Sequence, residues 1–193
     1  MHKPLALLAA LASGLLLAAP AHAQLTVTKD ATGDGKYGSD IKKVTVDHTV
    51  KRVRLTTRMV DEPNTRGELP HEMWHFVDTR GNRQPEFLVF VVVRNEVSDD
   101  PSVSVVRTDD GWPPKKNPYR ALFDGTEVEC GLHRARVKKK GVVLRTVIGR
   151  GCLTLEGDKP RRLRVNTFGT MEWGEYTDVV KGHRTYGAWV THQ

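Results

Sequence analysis

The stretch Arg52-Val53-Arg54-Leu55-Thr56-Thr57-Arg58-Met59 decides how this chain folds. Val53, Leu55, Thr57 and Met59 alternate with Arg52, Arg54, Thr56 and Arg58, the period of two that gives a strand one dry face and one wet face. Upstream, Val44 and Val46 alternate with Thr45 and Asp47 and predict a second strand. Downstream, Met73 to Val77 predicts a third, and Asp78-Thr79-Arg80-Gly81-Asn82 has the composition of a turn. The chain then enters Glu86 to Arg94, where Phe87 to Val93 is apolar at every position. Such a run suits a strand buried on both faces at the centre of a sheet.

Further strands are predicted over Ser102 to Arg107, Thr126 to Cys130, Arg134 to Lys138, Val142 to Ile148, Leu163 to Thr167 and Gly187 to Thr191. The loop Asp109-Asp110-Gly111-Trp112-Pro113-Pro114 interrupts them, because proline cannot donate to a ladder. About ten short strands punctuated by Gly, Pro and Asp predict an all-β fold, a single antiparallel sandwich of jelly-roll-like form. No long helix is expected outside the amino-terminal segment.

That segment, Leu5 to Pro20, is nearly continuous Leu and Ala behind His2-Lys3 and closes on Ala21-His22-Ala23, the form of a secretion signal ending in a small-x-small cleavage site. The expectation is a signal peptide over 1–23 and one domain over 24–193, extracellular or periplasmic, with no integral membrane segment after cleavage. With 38% hydrophobic and 27% charged residues, the 193-residue chain is neither a disordered tail nor a fibre nor a polytopic membrane protein. Only two cysteines are present, Cys130 and Cys152, and export makes a disulfide between them the default. It closes a loop of about 23 residues, worth on the order of 3 kcal/mol by chain entropy. A catalytic thiol would instead need an unpaired cysteine beside a thiolate-stabilising neighbour.

Charge is unevenly distributed. Residues 24–100 hold 12 basic and 13 acidic side chains, whereas 101–193 hold 17 and 10. From Arg134 to Arg164 there are 11 basic residues, Lys139 and Lys140 among them, against Glu156 and Asp158. A stripe of this kind attracts a polyanion, with Arg134, Arg136, Lys138, Arg161, Arg162 and Arg164 as contacts; the alternative is the solvated faces of ordinary strands. Nucleic acid is not expected as a partner, because the stripe lacks interleaved aromatics. Trp74, Trp112, Trp173 and Trp189 supply either core or a sugar-stacking face, with Trp112 in its Pro-rich loop the candidate for binding.

Two motifs carry metal chemistry on paper. His71-Glu72-Met73-Trp74-His75 matches H-E-x-x-H, in which a helix aims two imidazoles at one zinc ion and the Glu activates its water. This is the alternative function, a zinc-dependent hydrolase using His71, Glu72 and His75, with Glu96 the nominal third ligand. The surroundings of the motif predict a strand, on which positions 71 and 75 stand about 13 Å apart. Near the amino terminus, Asp30, Asp34 and Asp40 lie in a Gly-rich stretch resembling the first half of a calcium loop, without the closing Glu of an EF-hand, since Ile41 occupies that position. Either these residues hold Ca²⁺ or they form a turn leading into the first strand. Paired acids such as Asp99-Asp100 and Asp109-Asp110 fall in loops, and no G-x-S-x-G is present, so hydrolysis by carboxylate pair or serine has little support.

Three groups of residues carry a family resemblance. They are Asp30-x-x-Gly33-Asp34 with Asp40-Ile41; Trp74-x-Phe76-x-Asp78-Thr79-Arg80-Gly81 before Pro85-Glu86-Phe87; and Ile148-Gly149-Arg150-Gly151-Cys152-Leu153 followed by Pro160 and Leu163-Arg164-Val165. With these the chain resembles small secreted bacterial β-sandwich proteins, themselves similar to non-catalytic sandwich modules of secreted carbohydrate-active enzymes. Arg80 and Gly149 depart from the Asp-Thr-Asp-Gly turn and the Pro-Arg-Ser-Cys-Leu segment of that group. The resemblance implies a non-catalytic sandwich that binds an extracellular glycan or anionic envelope polymer, in some members with calcium.

Overall fold

The computed structural model describes residues 24–31, 33–35, 40–60, 71–93, 100–109, 111–113, 117–138, 143–170, 176–180, 182 and 184–192. The segment 1–23, together with Arg94, Glu96, Asp99, Asp110, Pro114, Lys139, Lys140, Val142 and Trp173, lies outside them.

Two antiparallel sheets face one another. The first has five strands: β1 (Gln24–Lys29), β2 (Ile41–His48), β3 (Arg52–Met59), β8 (His133–Lys138) and β9 (Val143–Gly149), in the spatial order β1-β2-β3-β9-β8. The second contains β4 (Glu72–Asp78), β5 (Phe87–Val92), β6 (Ser102–Arg107), β7 (Thr126–Glu127), β10 (Arg162–Thr170) and β11 (Tyr176–Val179), in the order β11-β10-β4-β5-β6-β7, while β12 (Val190–Thr191) pairs with the start of β10. The chain crosses from the first sheet to the second between β3 and β4 and again between β9 and β10. With β3 paired to β9 and β4 to β10, the strands on either side of the two crossings are paired antiparallel, the nested pairing of a jelly roll.

Alternation along β2 and β3 puts Val44, Val46, Val53 and Leu55 into the space between the sheets, where they meet Met73, Val77, Phe87, Val89 and Val91 of the second sheet. Each such side chain contributes about 1.5–3 kcal/mol on leaving water. Strand β5 runs between β4 and β6 and is buried on both faces, as its unbroken apolar run predicts. Its other face, Leu88 and Phe90, joins Trp74, Phe76 and Phe168 in a second cluster. A single helical turn, α1 (Arg120–Phe123), covers that cluster through Ala121 and Leu122, with Trp112 and Tyr119 packed beside it.

Two strands were not legible. In β1 the apolar residues Leu25 and Val27 are exposed while Thr28 is buried, so its hydrophobic pattern runs opposite to its burial. Strand β11 is four residues long and buries an aspartate, Asp178. Two expected strands are shorter, with only Thr126–Glu127 and Val190–Thr191 in ladders. The disulfide joins Cys130 to Cys152, tying the approach to β8 to the 3-10 turn after β9.

Candidate functional site

The outer face of the five-stranded sheet concentrates positive charge. Because Val53, Leu55, Ala135, Leu144 and Ile148 point inward, the alternate positions of β3, β8 and β9 point out. Strand register then sets three outward rows. The first reads Leu25, Asp47, Arg54, Val147, Arg134; the second Val27, Thr45, Thr56, Arg145, Arg136; the third Lys29, Lys43, Arg58, Val143, Lys138. Eight cations stand in these rows against one carboxylate, Asp47, which Arg54 takes at 3.1 Å. Arg52, Arg54, Arg134, Arg136, Lys138 and Arg145 converge on a hollow of about 110 Å³ over Val147. No aromatic side chain stands in any row, so the face offers charge and guanidinium forks and no stacking platform.

The structure splits the linear stripe. Leu163 and Val165 face the inter-sheet core, which sends Arg162 and Arg164 to the outer side of the second sheet, away from Arg134, Arg136 and Lys138. There Arg164 lies over the Tyr186 and Trp189 rings, 4.7 Å from each centroid, and Arg162 lies 4.4 Å from that of Trp189. Asn166 pins this carboxy-terminal loop by donating to the carbonyls of Gly182 and Thr185. Arg161 lines a separate groove with Arg80, Lys159 and Asp158. Trp112 donates its indole N–H to the Arg83 carbonyl at 2.8 Å and packs on Phe76 and Tyr186, so its ring covers the second apolar cluster.

The H-E-x-x-H residues occupy a strand. Glu72 and His75 are part of β4, with His71 just before it, and a strand sets positions four apart at about 13 Å, beyond the reach of one zinc ion. His75 is fully buried between the sheets against the Thr167 hydroxyl at 2.9 Å, and burial pushes its pKa down to about 3. Glu72 accepts the Tyr119 hydroxyl at 2.7 and 2.6 Å on its two oxygens and also the Thr170 hydroxyl. Its role here is to fasten the covering turn to the sheet.

Near the amino terminus, carboxylate oxygens of Asp30, Asp34 and Asp178 lie within 4.8 Å of one another. Asp40 stands apart from that trio and accepts the Gly33 N–H at 2.6 Å, closing the loop. Asp178 is the buried member. Its pKa is pushed up to about 7, chiefly by loss of water, with the charges of Asp30 and Asp34 adding to the rise and the Ile41 N–H opposing it.

No family model and no curated protein matches this chain.

Sequence reasoning missed Arg52 and Arg54 as members of the cationic face and Asp178 as a member of the acidic trio; Arg145 it counted in the stripe without naming it as a contact. The arginine alternation of β3 was visible, but its union with Arg134 and Arg136 requires β9 to pair between β3 and β8. Nothing local to Asp178 signals a neighbour more than a hundred residues away.

Among the described residues, no helix is long and apolar enough to cross a membrane.

Proposed function

We propose that this is a secreted, non-catalytic β-sandwich protein that binds an anionic polymer of the cell exterior on the outer face of its five-stranded sheet. The observation that carries the reading is the convergence of Arg52, Arg54, Arg134, Arg136, Lys138 and Arg145, drawn from three strands, with Asp47 beside Arg54 the one acid in the outward rows. Like charges gathered on one surface raise its potential and draw polyanions to it. Secretion rests on the signal-like segment 1–23 and agrees with the Cys130–Cys152 disulfide. The resemblance to sandwich modules supports binding over catalysis. Asp30, Asp34 and Asp178 hold Ca²⁺ in this reading and tie the loop between β1 and β2 to β11.

The test is retention of the mature protein on a polyanion matrix as salt is raised. Combined Arg54→Ser, Arg134→Ser and Arg136→Ser exchange is expected to move elution to markedly lower salt, while Arg161→Ser, outside this face, leaves it in place. Equal retention of all three proteins would remove the face from the function.

A further inference from the structure

Arg136 and Arg145 are direct register partners on neighbouring antiparallel strands, and both side chains point outward. Opposite residues have Cβ atoms only about 5 Å apart, and like charges in that position destabilise a sheet. Arg134 and Lys138 flank Arg136 on the same face at about 7 Å along β8. Among the described residues neither Arg136 nor Arg145 has an acidic partner; the one carboxylate of the face belongs to Arg54. The Arg145 Nε is buried without a hydrogen-bond partner. A fold that keeps a pair of cations face to face with no carboxylate between them among the described residues, where any polar residue would satisfy the strands, marks the place where an anion completes the structure.

We infer that Arg136 and Arg145 clamp a phosphate group of a linear, phosphate-bearing polymer lying along β8 and β9; this rests on the polyanion reading above. A guanidinium fork engages two oxygens in its own plane. Two forks reaching in from opposite strands need oxygens in more than one plane, which a tetrahedral oxyanion has and a planar carboxylate lacks. The hollow of about 110 Å³ has room for one such group and is far smaller than a pocket that encloses a whole small molecule. The flanking cations recur about every 7 Å along the strand, so a ligand that matches them carries a charge at every repeat. The absence of aromatics from the rows leaves sugar rings and bases nothing to stack on.

Binding of the mature protein to long-chain inorganic polyphosphate, dextran sulfate, polyglutamate and single-stranded DNA, at equal charge concentration and 0.15 M salt, tests this. Polyphosphate is expected to bind at least ten-fold tighter than the other three, and Arg136→Gln/Arg145→Gln to lose about ten-fold of that affinity. The same double variant is expected to melt higher than wild type in dilute Tris, because the repulsion is gone, and to gain less from added polyphosphate. A lower melting temperature would show that the pair is held by structural contacts and overturn the clamp. Unchanged binding by the double variant, with loss in Arg54→Ser/Arg134→Ser, would overturn the clamp and leave the face. Dextran sulfate or polyglutamate equal to polyphosphate would overturn the assignment to a phosphate polymer, again leaving the face; DNA equal to polyphosphate would keep the phosphate and overturn the exclusion of bases. No binding to any polyanion would overturn both.

Discussion

Arg164 grips Asp78 from the neighbouring strand, with Nη2 at 2.6 Å and Nε at 2.9 Å from the same carboxylate oxygen, Oδ2. Asp78 is fully buried, and it also accepts the backbone N–H groups of Arg80, Gly81 and Arg83, shaping the turn between β4 and β5. The turn needs Gly81, whose φ of +89° is reached without strain only by glycine and whose Cα faces the Trp189 ring.

Removing one partner of such a pair leaves a buried charge unmatched. Asp78→Ala is expected to cost about 3–5 kcal/mol, and Arg164→Met nearly as much, with the double variant well short of the sum. Urea unfolding of the four proteins measures this. Additive losses would mean that the two residues act separately. Because Arg164 is structural, its substitution lowers polymer binding only as far as it lowers the folded fraction.

Tyr119→Phe removes a hydroxyl shared by both oxygens of Glu72 and is expected to destabilise by about 1.5–3 kcal/mol, the range for a hydrogen bond to a charged group. Glu72→Gln weakens the same fastening. Calorimetric titration with Zn²⁺ is expected to give the same featureless trace for wild type and Glu72→Gln; a stoichiometric site lost in the variant would restore the metal role of the motif.

Acid is expected to destabilise the fold from about pH 6.5 downward. His75, pushed down to about 3 by burial, and His48, pushed down to about 4 by burial and by the charges of His192 and Arg150 against the pull of the Val190 carbonyl, are neutral in the native state but take up protons once unfolded. Each contributes up to about 1.4 kcal/mol per pH unit, lost as pH falls below the unfolded value of 6.5 and exhausted once pH passes its folded value. Asp178, pushed up to about 7, works in the opposite sense, since its native state binds the proton more tightly between 3.8 and 7. Two histidines against one aspartate leave a net loss of about one group's slope between pH 6.5 and 4. Urea midpoints at half-unit pH steps check it; a flat profile would show that the two imidazoles are not both buried in solution.

Asp178→Asn keeps an oxygen for the Ile41 N–H and removes the charge that Asp30 and Asp34 oppose. In EDTA the variant is expected to melt higher than wild type at pH 8, with the gap closing as pH falls from 7 toward 4, where wild-type Asp178 becomes protonated. Millimolar Ca²⁺ is expected to raise the melting temperature of wild type and leave Asp178→Asn unmoved. A wild type indifferent to Ca²⁺ would reduce the trio to a local repulsion.

Legibility followed the range of the physics. The alternation in Arg52 to Met59 and the apolar run from Phe87 became a half-wet strand and a doubly buried one, because period and hydrophobicity are local properties. Strand β1 escaped because burial of Thr28 and exposure of Leu25 and Val27 depend on what lies over each face of the sheet. The H-E-x-x-H spacing showed the converse, since four residues bring two histidines together on a helix and separate them on a strand.

By itself the sequence determined most of the strands, the turn around Asp78 to Gly81, the one cysteine pair and an excess of positive charge in the second half, all consequences of side-chain chemistry acting on neighbours in the chain. Tertiary structure decided which charges act together. By setting β9 between β3 and β8 it joined Arg52 and Arg54 to Arg134, Arg136 and Arg145, and by placing β10 in the other sheet it sent Arg162 and Arg164 to the opposite side. The reason is that a strand's side chains alternate between two faces, and only pairing between distant strands decides whose faces coincide.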